Sequence, residues 1–361
     1  MLREPILHRA PGASRIRQVQ PARAFRVVMP IALAAVLVVA VCLAAMATGR
    51  YNVPFWHVVQ IVAPHAGALP ATITDTEQSV VVLVRLPRIL LALLVGGGLA
   101  IGGAALQAVF RNPLVSPEII GVSAGASFGG ALALLLGLGS VALVGGAFLF
   151  GLLALGLLFL ITSGRDGTPM LMLVLGGVVT GSFFSALVSL VTYIADPYST
   201  LPAIVFWLLG SVASATYPQV VVATVPVLIG TVALLGLRWR INVLSLGDED
   251  AAGLGVRPRA LRWVVLIAVA LIVAGAVAVS GVVSWVGLVI PHIARLWVGP
   301  DHRVLLPVSF LLGGGYLALV DTVARTVTAG EIPLGVLTAL LGAPVFFVLL
   351  RQNRDRIWDR A

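Results

Sequence analysis

Long uncharged stretches alternate with short polar or proline-punctuated segments along this chain. Ile89 to Phe110 is one such stretch, and its 22 residues, at about 1.5 Å rise each, span the roughly 30 Å hydrocarbon core of a bilayer. Val27 to Ala47 is another, too long for the apolar core of a signal peptide and followed by no convincing cleavage site. Further runs at Val141 to Ile161, Leu171 to Tyr193, Gln219 to Leu237, Trp263 to Val279, Leu305 to Val323 and Ile332 to Leu350 read the same way. A glycine-spaced run carrying Gly121, Gly125 and Gly129 and a short run, Gly281 to Ile290, expected to break at Pro291, bring the count to ten. The expected fold is therefore all-α, a polytopic membrane protein with ten transmembrane helices. Gly96, Gly97, Gly98, Gly102 and Gly103 in one run let neighbouring helices approach closely within a membrane. Ile194 to Pro218 encloses an apolar piece too short to cross, which predicts an interfacial or re-entrant helix. Thr48 to Val84 reads as a polar segment whose His57 and His65 are ordinary surface histidines.

Composition agrees: 60% of the 361 residues are hydrophobic and 10% charged, too few polar groups for a water-facing surface. All 23 basic residues are arginine, so a lysine Schiff base and a phosphate-loop lysine are excluded. Nineteen arginines fall on one side of the ten runs and four on the other. The positive-inside rule then places both termini in the cytoplasm and accounts for the net charge of +9 without nucleic acid. The chain divides into a cytoplasmic tail (1–26), a transmembrane domain (27–351) and a cytoplasmic C-terminal tail (352–361). The single cysteine, Cys42, allows neither an internal disulfide nor a cysteine metal cluster.

The four outer arginines, Arg50, Arg85, Arg88 and Arg325, run against the charge bias. Arg85 and Arg88 stand at the start of a helix, where the dipole disfavours a cation, so they call for acidic partners or else act as snorkelling anchors. Arg325 follows Asp321 by four residues, the spacing of an intrahelical ion pair. Asp248, Glu249 and Asp250 are consecutive and cannot converge on one point of a helix. They read as the first turn of a short helix ended by Gly253 and Gly255. An ion-coupled transporter would need ionisable residues at membrane depth, for which Asp321 is the one candidate, and no convergent set suggests an intramembrane enzyme. His292 is isolated and receives no chemistry.

The strings RLPRILLALLVGGGLAIGGAALQAVFRNPLVSPEIIGVSAGAS, GVVSWVGLVIPHIARL, DHRVLLP, LVDTVAR and GEIPLGVLTALLGAPVFFVLL resemble the FecCD-type permeases of type II ABC importers, which carry iron-siderophore complexes, haem or cobalamin. The resemblance covers nearly all of residues 27–351. It implies a homodimer of ten-helix subunits in the bacterial inner membrane, with two ATPase subunits and a periplasmic or lipid-anchored substrate-binding protein as partners. It also implies that Arg85, Arg88 and Arg325 receive glutamates of that binding protein. Ser245, Leu246, Gly247, Asp248, Glu249, Asp250, Ala251, Ala252, Gly253, Leu254, Gly255 and Val256 then form the segment seated on the ATPase, and Asn112, Pro113, Leu114, Met170 and Leu171 the cytoplasmic gate. The chain itself is expected to be no enzyme and to hold no metal or cofactor, with ATP and Mg bound by the partner ATPase. An iron chelate, ferric siderophore or haem, is the expected cargo. Cobalamin or a molybdate-type oxyanion is the alternative, and an ion-coupled secondary transporter the more distant one.

Overall fold

The computed structural model describes residues 21–63, 72–163, 170–328 and 330–352, and every regular element among them is helical. Helix α1 is Pro21–Ala47 and the short α2 is Phe55–Val62. Helix α3, Asp75–Ser79, continues through a π-helical segment, Val80–Arg85, into α4, Leu86–Val109. The remaining helices are α5 (Val122–Leu135), α6 (Ser140–Thr162), α7 (Met170–Ile194), α8 (Thr200–Leu208), α9 (Tyr217–Leu244), α10 (Asp248–Gly253), α11 (Pro258–Ser280), α12 (Val286–Val298), α13 (His302–Val327) and α14 (Leu334–Gln352). Seven helical runs are long and apolar enough to cross a bilayer, and α5, α12 and α14 are shorter apolar helices. The chain is thus a multi-pass membrane protein. Helix α1 starts inside the expected tail; residues 1–20, 353–361 and His65 lie outside the described residues.

The continuous run from α3 to α4 corrects the expected polar loop. Its start is a capping box, with the Glu77 N–H donating to Thr74 Oγ1 at 3.2 Å and the Thr74 N–H to Glu77 Oε2 at 3.0 Å. The π segment then accommodates Pro87. The Leu86 N–H donates to Val81 O, five residues back, and the next carbonyl, Val82 O, would wait for a proline that has no N–H. Tyr217 donates its hydroxyl to that carbonyl at 2.7 Å. The histidine of this region is no free surface group: His57 Nδ1 lies 3.1 Å from Glu77 Oε1.

Two more boundaries differ. Helix α9 passes through Arg238 and Arg240 to Leu244, because arginine ends an apolar run without ending a helix. Gly281 to Trp285 is not helical, with positive φ at both Gly281 and Trp285, and α12 runs on through Pro291. Proline leaves the Gly287 carbonyl without its usual donor. That carbonyl instead faces Gly103, where an added Cβ would stand 1.8 Å from the oxygen, an approach open to a Cα–H and to nothing larger.

Helix α4 is the axis of the bundle: 83% of the apolar window of its run is buried, against 11% for α1. It packs on α13, α9, α11 and α12, with Gly96 against Gly313 and Gly98 against Ile272 and Val227. A second group, α5 with α6 and α7, joins through Gly125 against Phe150 and Gly177 against Ile119.

Candidate functional site

One end of the bundle gathers the outer arginines. Helix α4 carries Arg88, the π segment Arg85, helix α13 Asp321 and Arg325, and the turn before α14 Glu331. The sequence places Arg88 and Glu331 243 positions apart. All three arginines are buried, Arg85 at 3%, Arg88 at 6% and Arg325 at 7% exposure. Arg88 Nε donates to both oxygens of Asp321 at 2.8 and 2.9 Å, and its two terminal nitrogens reach the Glu331 carboxylate at 3.3 and 2.9 Å. Such fork-to-carboxylate pairs fix orientation as well as charge. The acidic partners that Arg88 calls for are therefore supplied within the chain.

Arg85 finds carbonyls instead, donating to Met46 O, Tyr51 O and, at 3.1 Å, Ala47 O. These are acceptors at the end of α1 and just beyond it, where a helix leaves carbonyls without intrahelical partners. Arg325 donates to Ala45 O in the same group. The i,i+4 pair of Asp321 with Arg325 exists at 3.7 Å, longer and weaker than the contact with Arg88. Arg50, Arg85, Arg88, Arg325 and Glu331 line a cavity of about 190 Å³. Four guanidinium groups around one partly buried carboxylate make it an electropositive hollow that an anionic group fits. Glu331 holds a left-handed backbone at φ 45°, uncommon for this residue type, and this strain places its carboxylate over Arg88.

The opposite end carries the acidic segment. Asp248, Glu249 and Asp250 form the first turn of α10, after Gly247 at φ 137°, and Asp248 pairs with Arg262 of α11. Ala251 and Val256 are buried against the bundle, whereas Leu246 and Leu254 are exposed. A Cβ on Gly247 would lie 3.6 Å from an Arg111 nitrogen, so this segment meets the end of α4 directly. Asn112, Pro113 and Leu114 are exposed there, with Asn112 Oδ1 accepting from the Leu114 N–H at 2.9 Å. Met170 and Leu171 open α7 at the same end, but on another helix.

A polar network not anticipated from sequence ties this end together. Asn242 Oδ1 accepts from the His302 N–H at 2.8 Å and from its ring Nδ1 at 2.6 Å, while Asn242 Nδ2 donates to Asp301. Arg295 donates to Gln107 Oε1 at 3.0 Å, joining α12 to α4. The lone polar residue in an apolar run, Gln107, was the available signal. Among the described residues no cluster of three metal-ligating side chains occurs.

A bundle of apolar helices with a basic hollow at one end and an acidic, partly exposed helix at the other has the build of a membrane permease. Comparison with known proteins specifies the family: the FecCD transport family model matches residues 36–352, and the chain belongs to that family. The molybdate import system permease protein MolB of Haemophilus influenzae is 46% identical over 314 residues, covering 87% of this chain and 93% of that protein. A Helicobacter pylori permease named for iron chelatin transport is 43% identical over 277 residues, covering 76% and 84%. The hemin transport system permease protein HmuU of Yersinia pestis is 38% identical over 283 residues, covering 76% and 84%. A solved structure, described as an inward-facing conformation of an ABC transporter of metal-chelate type, superposes with a TM-score of 0.80. It is 43% identical and the match covers 89% of this chain and 98% of that one.

Proposed function

We propose that this chain is the membrane subunit of a binding-protein-dependent ABC importer and carries a metal chelate, an iron chelate first, inward across the bacterial inner membrane. Two copies enclose the path. Each crosses ten times, the shorter α5, α12 and α14 completing the seven long runs, with both termini in the cytoplasm. The arginine end faces outward and docks the binding protein through Arg85, Arg88 and Arg325. The segment from Ser245 to Val256 rests on an ATPase subunit that binds ATP and Mg, and Asn112 to Leu114 with Met170 and Leu171 close the path below.

The observation that supports this best is the convergence of three buried arginines on one hollow. Charge-assisted pairs with a partner's carboxylates would give orientation and rapid capture there. The test is reconstitution in proteoliposomes with the ATPase and binding protein. Uptake of ferric siderophore, haem, cobalamin or molybdate should require ATP and both partners. Uptake by the chain alone, abolished by an uncoupler, would overturn the reading. Arg85→Glu should weaken capture by an immobilised binding protein about tenfold or more at low salt, with ATPase association as the folding control. An oxyanion is the second reading for cargo, favoured by the 46% identity to a molybdate permease.

A further inference from the structure

Among the described residues Glu118 stands apart from the other carboxylates, with Asp196 just beyond the end of α7. Asp75, Glu77, Asp321 and Glu331 gather at or beside the arginine end, and Asp248, Glu249, Asp250 and Asp301 lie at the opposite end. Glu118 belongs to the short 3-10 turn Pro117–Ile120 between α4 and α5, and two neighbours fix its depth. Gly287 packs on both Pro117 and the Leu99 carbonyl, and Leu99 is near the middle of α4. On the other side Gly177 meets Ile119, and Gly121 meets Thr180 and Gly181, which lie near the middle of α7. The chain therefore leaves α4 at its end, returns to half the depth of the bundle through irregular backbone and one 3-10 turn, and only there begins α5.

The stretch Gly281 to Trp285 does the same from the other end, since α12 starts beside Leu99 and Gly103. Helices of 14 and 13 residues follow, each about 20 Å long and too short to cross alone. Non-helical backbone at membrane depth is tolerated where protein buries it or where it lines a water-filled cavity. Ser284 stands near the Glu118 carboxylate across the junction of the two stretches. Ser116 and Ser123 line the same small hollow of about 10 Å³, room for about one water. In the single chain the Glu118 residue is nevertheless exposed. A carboxylate at half depth facing lipid is costly, and such groups face a protein interior or an aqueous pathway.

We propose that Glu118, with the hydroxyls of Ser116, Ser123 and Ser284, is a cargo-contacting station half-way along the translocation path. It suits a chelate that presents hydrogen-bond donors or positive charge and disfavours a free oxyanion. The assignment rests on the permease reading above, because the water that solvates the station is the path between two copies. It separates the two cargo readings: a fixed negative group at the midpoint opposes a small dianion.

The test uses the full transporter, with ATPase and binding protein, in lipid nanodiscs and with Cys42→Ala removing the native thiol. Ser123→Cys is then exposed to two water-soluble methanethiosulfonates, the cationic aminoethyl and the anionic sulfonatoethyl reagent. The expected result is reaction with both, faster with the cation by about tenfold at low salt, and loss of that preference when E118Q is added. No reaction, or a preference unmoved by E118Q, overturns the station. Binding-protein-stimulated ATP hydrolysis is measured on the same samples. If it is intact while labelling fails, the station alone falls; if no complex with the ATPase forms even for the unmodified chain, the permease reading falls first. In uptake assays E118Q should lower chelate transport about tenfold, the scale of one charge-assisted hydrogen bond, and Glu118→Asp should restore part of it. Unchanged chelate uptake in E118Q also overturns the proposal.

Discussion

Arg88 keeps its charge at 6% exposure because Asp321 and Glu331 reach it from another helix and from a turn. Burial of a charge is costly, and its removal from one side of such a pair leaves the other side uncompensated. Asp321→Asn should therefore cost about 3 kcal/mol or more, seen as a lowered midpoint in thermal unfolding of the detergent-solubilised chain. Replacing both by apolar residues of similar size, Arg88→Met with Asp321→Leu, should recover part of that loss, the remainder reflecting Glu331 and Arg325 left without these partners. A double variant as unstable as the sum of the single ones would show that the pair does not act as a unit. Arg88→Glu is a poor docking probe for the same reason, as it would bring a third carboxylate to Asp321 and Glu331. Sequence spacing revealed the pair of Asp321 with Arg325 because they are four residues apart on one helix. The tighter contact spans 233 residues, and no local rule reaches that far. Glu331 and Glu118 were hidden for another reason: both lie in turns, where periodicity says nothing about depth.

At the scale of elements, hydropathy located the long runs well because a span needs about twenty apolar residues whatever its neighbours. It failed where short helices begin inside the bundle. Helices α5 and α12 start at half depth; the polar lead of α5 read as a turn, and the non-helical lead of α12, Gly281 to Trp285, read as the start of a helix. It also mistook charge for helix termination at α9 and missed the π turn before Pro87, since both depend on where individual N–H groups find partners. The glycine spacing, by contrast, correctly foretold close packing. Gly103 is the tightest case, and Gly103→Ala would drive a methyl group into the Gly287 carbonyl 1.8 Å away. That overpacking should cost about 1–3 kcal/mol or more and separate α12 from α4. The measurement is loss of monodispersity and a lower unfolding midpoint, with Gly139→Ala, whose Cβ meets nothing within 4 Å, as the neutral control. Equal behaviour of the two variants would remove the role given to the Gly103 contact.

For the whole molecule, the arginine asymmetry suggested a direction for the chain, and the structure shows what stands at each end. Motion at α10 has two routes into the bundle: Asp248 to Arg262 on α11, and Gly247 to Arg111 at the end of α4. The first is partly exposed, so its worth to stability is about 1 kcal/mol or less. Arg262→Gln should accordingly leave the unfolding midpoint within a degree or two while lowering transport per ATP hydrolysed in the reconstituted importer. A matched fall in hydrolysis and transport would mean that the pair serves assembly rather than coupling. The acidic segment itself was legible in the sequence as the first turn of a short helix. The contact with Arg111 is tertiary and needed the fold.

The π segment before Pro87 has a mechanical consequence. Six residues there are wound with a wider turn than the helices on either side, so the rod from Thr74 to Phe110 contains slack in its winding. Deleting one valine from Val80 to Val84 would let it close into ordinary α-helix without breaking the rod. The two halves would then keep nearly the same facing, because the wide turn holds one residue more than an α turn, and both the Glu77 contact with His57 and the Arg88 contact with Asp321 would survive. The wide turn thus lets the rod carry one extra residue between its capped tip and its glycine-packed shaft without turning one against the other.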